Sequence, residues 1–157
     1  MNTELLKFKA GINVVHVPFK GGGPAIADVV AGQTQIYFGA LVTVMPFIQS
    51  GRLKLIAVGG SKRNPNLPNV PLISETVPGY ESYIWWGIFA PPATPAALIS
   101  RVHSEVLNVL DSPSFTKKLD EQGGMPVKMS SAEFGKMMAT ETAKWTEVIK
   151  AAGIKGE

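Results

Sequence analysis

Residues 14–25 read Val14-Val15-His16-Val17-Pro18-Phe19-Lys20-Gly21-Gly22-Gly23-Pro24-Ala25. The order of residue types predicts a short apolar strand, a glycine-rich turn and the start of a helix. Three consecutive glycines let backbone approach a ligand without side-chain obstruction. Pro24 suits the first helical position, where its missing N–H is no loss. Free N–H groups at such a helix start, with the helix dipole behind them, favour an anion. Two readings stay open on these residues alone: a loop that binds carboxylate or phosphate, or a tight strand-to-helix connection with no ligand.

Working outward, residues 2–10 read as the end of a helix, with Leu5, Leu6 and Phe8 as its apolar positions and Gly11 as the stop. A chain that begins in the last turns of a helix points to missing sequence upstream. Ile12 to Val17 is a β-branched run and reads as a buried strand. Pro24 to Ala31 is then a short helix ended by Gly32. Gln33 to Phe38 is a second strand, Leu41 to Gln49 a helix interrupted by Pro46, and Leu53 to Val58 a third strand. This alternation predicts an α/β fold with a parallel sheet and right-handed crossovers.

Gly59 to Pro71 carries three prolines and reads as a long surface loop. Ile73 to Val77 reads as a helical turn, and Tyr83 to Ala90 as a long β-prone strand stopped by Pro91-Pro92. Beyond it the chain is helical. Thr94 is placed as a cap with Pro95 at the first helical position. Leu98, Ile99, Val102, Val106 and Leu110 recur at helical spacing and predict one buried stripe. Ser112 caps a second helix from Pro113 that ends at Gly123-Gly124, and Met125 to Met129 is a candidate strand. Ser130 and Glu133 have the spacing of a capping box for the last helix, which Gly153 ends. That helix carries Phe134, Met137, Met138, Trp145, Val148 and Ile149 on its apolar face. The second half supplies too little sheet for its helices to cover, which again points to missing chain or a partner subunit.

The chain has 157 residues, 45% hydrophobic, with 15 basic and 12 acidic residues for a net charge of +3. That is enough for one ordinary domain with a core. The charge excess is small and Lys62-Arg63 and Lys117-Lys118 are only pairs, so nucleic acid is not expected as a partner. With no cysteine, disulfides, thiolate metal sites and a cysteine nucleophile are excluded. Residues 1–10 are no signal peptide, since the apolar run is short and holds Glu4. No apolar run approaches the roughly 20 residues of a membrane helix. As given, the chain reads as soluble, and as cytoplasmic if expressed in this form.

The catalytic inventory is thin. His16 and His103 lie in different elements without carboxylates at metal-ligand spacing, so no metal is expected. His16 reads as a structural histidine and His103 as solvent-facing. There is no G-x-S-x-G elbow and no P-loop. Ile26 stands where G-x-G-x-x-G needs its last glycine, which removes the dinucleotide fingerprint. Asp28, Glu75 and Asp120 are scattered, with no pairing for acid–base work. No catalytic residue and no cofactor is predicted. Of Tyr83, Trp85, Trp86 and Phe89, half are expected in the core and half could line a cleft.

The motifs V-H-V-P-F-K-G-G-G-P-A, G-Q-T-Q-I-Y-F, I-Q-S-G-R-L-K-L-I-A-V, L-P-N-V-P, P-G-Y-E, W-G-I-F-A-P and E-T-A-K-W-T-E-V-I-K-A-A-G-I-K run in order from about Val14 to Lys155. Together they resemble the Bug, or TctC, family of substrate-binding proteins of tripartite tricarboxylate transporters. The resemblance implies a periplasmic-binding-protein fold, a type II Venus flytrap, of which this chain matches the C-terminal half. Residues 1–80 would be one βαβαβ domain, incomplete; residues 81–90 a hinge strand; residues 91–157 the helical C-terminal part of the other domain. It implies a periplasmic receptor, not an enzyme, that captures a small mono- or dicarboxylate for membrane transporter subunits. Ligand contacts would fall on Phe19, Gly21, Gly22, Gly23, Pro24, Ala25, Gly39 and Ala40. Phe19 stands where the family more usually has Tyr, and Gly39-Ala40 where it often has Asp with a polar neighbour. The alternatives are a truncated, non-binding homologue held together as a homo-oligomer, and a small α/β enzyme.

Overall fold

Helix ends are where this sequence speaks most plainly, and the computed structural model, which describes residues 1–154, follows them. Among the described residues there are six α-helices: α1 (Asn2–Ala10), α2 (Gly22–Val30), α3 (Leu41–Gln49), α4 (Ala96–Asp111), α5 (Pro113–Glu121) and α6 (Ser131–Ala152). A single 3₁₀ turn covers Ile73–Glu75, as expected. Gly11 and Gly153 close α1 and α6 in the left-handed conformation. Lys155, the last residue of the final motif, lies outside the described residues.

The capping box of α6 forms as predicted. The Ser130 hydroxyl accepts from the Glu133 N–H at 3.2 Å, and the Glu133 carboxylate accepts from the Ser130 N–H at 2.7 Å. The bond from the Ser130 N–H foremost, and a second donated by the Ser130 hydroxyl at 2.7 Å, hold the Glu133 carboxyl below its usual range. A lowered folded-state value means that the contribution is present at neutral pH and is lost as pH falls through it. We expect Ser130→Ala to cost about 1 kcal/mol of stability at neutral pH. Thermal unfolding followed against pH checks the box with Glu133→Gln beside it: the curves of Glu133→Gln and the parent should converge on the acid side, where the parent carboxylate is protonated. Curves that stay parallel would assign the loss to something other than the box.

Two helix starts shift from their expected registers. α2 begins at Gly22, so Pro24 occupies the third helical position and not the first. The first four N–H groups of a helix lack partners in any case, so proline is tolerated there as well. α4 begins at Ala96 with Pro95 as the flanking cap residue, which leaves Thr94 outside it.

The sheet is the larger difference. The helices and the segments between them keep the predicted order, but among the described residues the only β pairing is one parallel bridge between Val58 and Leu72. Residues 12–17, 33–38, 53–57, 83–90 and 125–129 form no ladder. Many of their apolar side chains stay in solvent, with Val15 84% exposed and Ile56 67%. A β-branched run is strand-prone only where neighbours accept its hydrogen bonds and cover its side chains. The α4 stripe differs for the same reason. Leu98 is 51% exposed and Val102 43%, and no residue of α4 is buried.

The core is gathered from distant parts of the chain. Leu5 of α1, Tyr80 and Val148 of α6 are buried together, with Leu6, Phe38, Ile73, Val77 and Trp145 packed around them. α1 thereby rests on α6, and α4 on α5. Buried Asn64 donates from its side-chain amide to the Gly123 carbonyl at 2.9 Å, tying the proline-rich loop to the end of α5. Phe134 of α6 meets Trp85 edge-on at 5.6 Å between ring centroids and Phe89 at 5.4 Å. So Trp85 is half-buried, while Trp86 and Phe89 are exposed.

The two histidines are both engaged. His16 Nδ1 lies 3.4 Å from the Glu4 carboxylate. His103, expected in solvent, places Nε2 2.9 Å from the Met129 carbonyl.

Candidate anion site at two helix starts

Gly21 shapes the loop. Its φ of 109° is open to glycine and strained for any other residue. In that conformation its N–H turns back to the Phe19 carbonyl at 2.8 Å, and the chain enters α2 at once. Among the described residues, the N–H groups of Gly22 and Gly23 have no acceptor in the chain. Phe19 and Lys20 beside them are exposed, as is Pro24, whereas Ala25 is half-buried. Ile26, 8% exposed, anchors the helix one turn in.

The second helix start is similar. Ala40 flanks α3 in extended conformation, and its carbonyl accepts from the Thr43 N–H at 3.0 Å and the Thr43 hydroxyl at 2.8 Å. The N–H groups of Leu41 and Val42 have no acceptor among the described residues. Helix dipoles add to these open donors at both places.

Tyr37 joins the two. Its ring lies over Gly39, so closely that a Cβ at residue 39 would collide with Cε1. Its hydroxyl reaches the other loop, 3.2 Å from where a Cβ of Gly22 would stand. Glycine at 39 is what leaves space for the ring. Gly22 and Gly39, both in the predicted set, are thus brought to one phenol. Tyr37 was not among the residues predicted from sequence, although a signal was present. In a strand, residues 37 and 39 share a face, and a glycine two positions after a tyrosine leaves space on that face.

The surroundings are apolar. Gly23 opens onto a groove of about 410 Å³ lined by Ile26, Ala27 and Val30 of α2, Phe47 of α3 and Arg52. The Arg52 guanidinium sits 5.7 Å from the Phe47 ring centroid. Among the described residues, no three His, Asp or Glu side chains gather where a metal could bind. No helix is long and apolar enough to cross a membrane. What the arrangement offers chemically is backbone donors without acceptors, which suits an anion.

A family model for the tripartite tricarboxylate transporter family receptor matches residues 1–154. The chain belongs to this receptor family. BugT of Bordetella pertussis is 28% identical over 98% of the chain and 47% of its own length. The solved structure of R. palustris Rpa4515 with adipate superposes with a TM-score of 0.89 at 34% identity, covering 97% of this chain and 51% of that one. MatC from Rhodopseudomonas palustris, with bound malate, gives 0.83 at 27% identity, covering 94% and 52%. The chain therefore spans about half the length of these receptors, and its fold is that part of a periplasmic binding protein.

Proposed function

We propose that the chain provides one wall of a binding site for a small mono- or dicarboxylate in a periplasmic receptor, which hands its solute to the membrane subunits of a tripartite transporter. The observation that carries this reading is the meeting of two helix starts with open N–H groups at one tyrosine. Adipate and malate in two structural relatives support the same ligand chemistry. The protein acts by binding and release, not catalysis. Capture seats a carboxylate on the start of α2, and closure of the receptor's cleft over the solute follows. Calorimetric titration with a panel of mono- and dicarboxylates, adipate and malate included, should give saturable heat with at least one. Silence across the panel would remove the binding role.

A second reading rests on a different observation. Trp86, Ile88 and Phe89 stay exposed, and so does much of the apolar stripe of α4. Such a surface favours self-association, and a homo-oligomer that binds nothing would satisfy it. Light scattering separates the two, since a well-folded monomer that binds a carboxylate is incompatible with the second.

A further inference from the structure

The α2 loop offers a ligand its backbone, and Phe19 brings no hydroxyl to it. A side-chain donor beside Gly22 comes from elsewhere in sequence, the Tyr37 hydroxyl, 3.2 Å from where a Cβ of Gly22 would stand. We propose that Tyr37 is the specificity-determining residue of the carboxylate site: its hydroxyl donates to the carboxylate oxygen held at the start of α2, and its ring sets how much ligand fits between Gly22 and Gly39. This inference rests on the carboxylate-binding reading above.

Four observations carry it. The hydroxyl lies beside Gly22, within reach of any oxygen bound by the Gly22 and Gly23 N–H groups. It makes no hydrogen bond among the described residues, and burial alone raises its pKa, so the phenol stays protonated and able to donate at neutral pH. The ring is held against Gly39, where any side chain would displace it. Finally, one side chain touches both helix starts, the ring at Gly39 and the hydroxyl at Gly22. A phenol suits this role, since it combines a rigid body with one donor at its tip.

The test uses the 157-residue chain, with succinate and adipate as probes. Tyr37→Phe keeps the ring and removes the hydroxyl. Its thermal unfolding should match the parent, while affinity for both diacids should fall about tenfold or more, as for loss of one hydrogen bond to a charged group. Gly39→Ala should push the ring aside and change the ratio of the two dissociation constants. Parent-like affinity in a natively folded Tyr37→Phe would overturn the hydroxyl's role and leave the carboxylate site standing. An unchanged ratio in Gly39→Ala would overturn the role of the ring. A parent that binds neither diacid, nor any of the wider panel, sinks this inference and the binding role together.

Discussion

Tyr80→Ala should lower the free energy of unfolding by about 3–5 kcal/mol. Tyr80 is 2% exposed, the most buried side chain described, and it holds Leu5 and Val148 in one cluster. Few other side chains are buried, namely Ile26, Val44 and Met45 among the apolar ones. Against a usual total of about 5–15 kcal/mol, the loss should leave the chain largely unfolded at 37 °C. Urea unfolding followed by tryptophan fluorescence measures it. Tyr80→Phe is the companion, since the hydroxyl's bond to the Asn2 carbonyl is long, at 3.5 Å, and its loss should be cheap. The pair also has a pH signature. Burial pushes the Tyr80 hydroxyl up to about 12, against a minor opposing bond from Ser82. A raised folded-state value gives stability that is complete below the ordinary tyrosine range near 10 and declines as pH rises through 12. That alkaline decline should shrink in Tyr80→Phe. An alanine variant as stable as the parent would show that the core lies elsewhere.

Gly22→Val should reduce carboxylate binding below calorimetric detection. The Cβ would stand 3.2 Å from the Tyr37 hydroxyl, and the two methyl groups beyond it would cover the N–H groups that meet the ligand. Gly22 is the informative position because its backbone is not in the left-handed region, so a β-branched residue is accommodated. At Gly21 any substitution would strain the turn itself and confuse folding with binding. The far-ultraviolet dichroism of Gly22→Val should therefore match the parent. Retained affinity in the folded variant would place the ligand away from α2.

What could be read from the sequence follows from how local each determinant is. The span of α3 with its internal Pro46, the Ser130–Glu133 box and the closing glycines of α1 and α6 depend on residues within a turn of each other. The start of α2 was misplaced by two residues because Gly22 and Gly23, which looked like turn, take helical conformation. Strand pairing and the burial of the α4 stripe depend on surfaces far away in sequence, and periodicity carries no information about them. The site divides along the same line. The glycine loop announced itself, whereas Tyr37 acquires meaning only when residues 22 and 39 meet at its ring.

The cluster of Leu5, Tyr80 and Val148 also sets an order of events during synthesis. α1 leaves the ribosome well before its packing partner, α6. At ordinary translation speeds Leu5 must wait on the order of ten seconds before Val148 exists. Over that interval Leu5 and Tyr80 lack the Val148 side chain that completes their cluster, so this part of the growing chain stays accessible to chaperones or to a translocation channel.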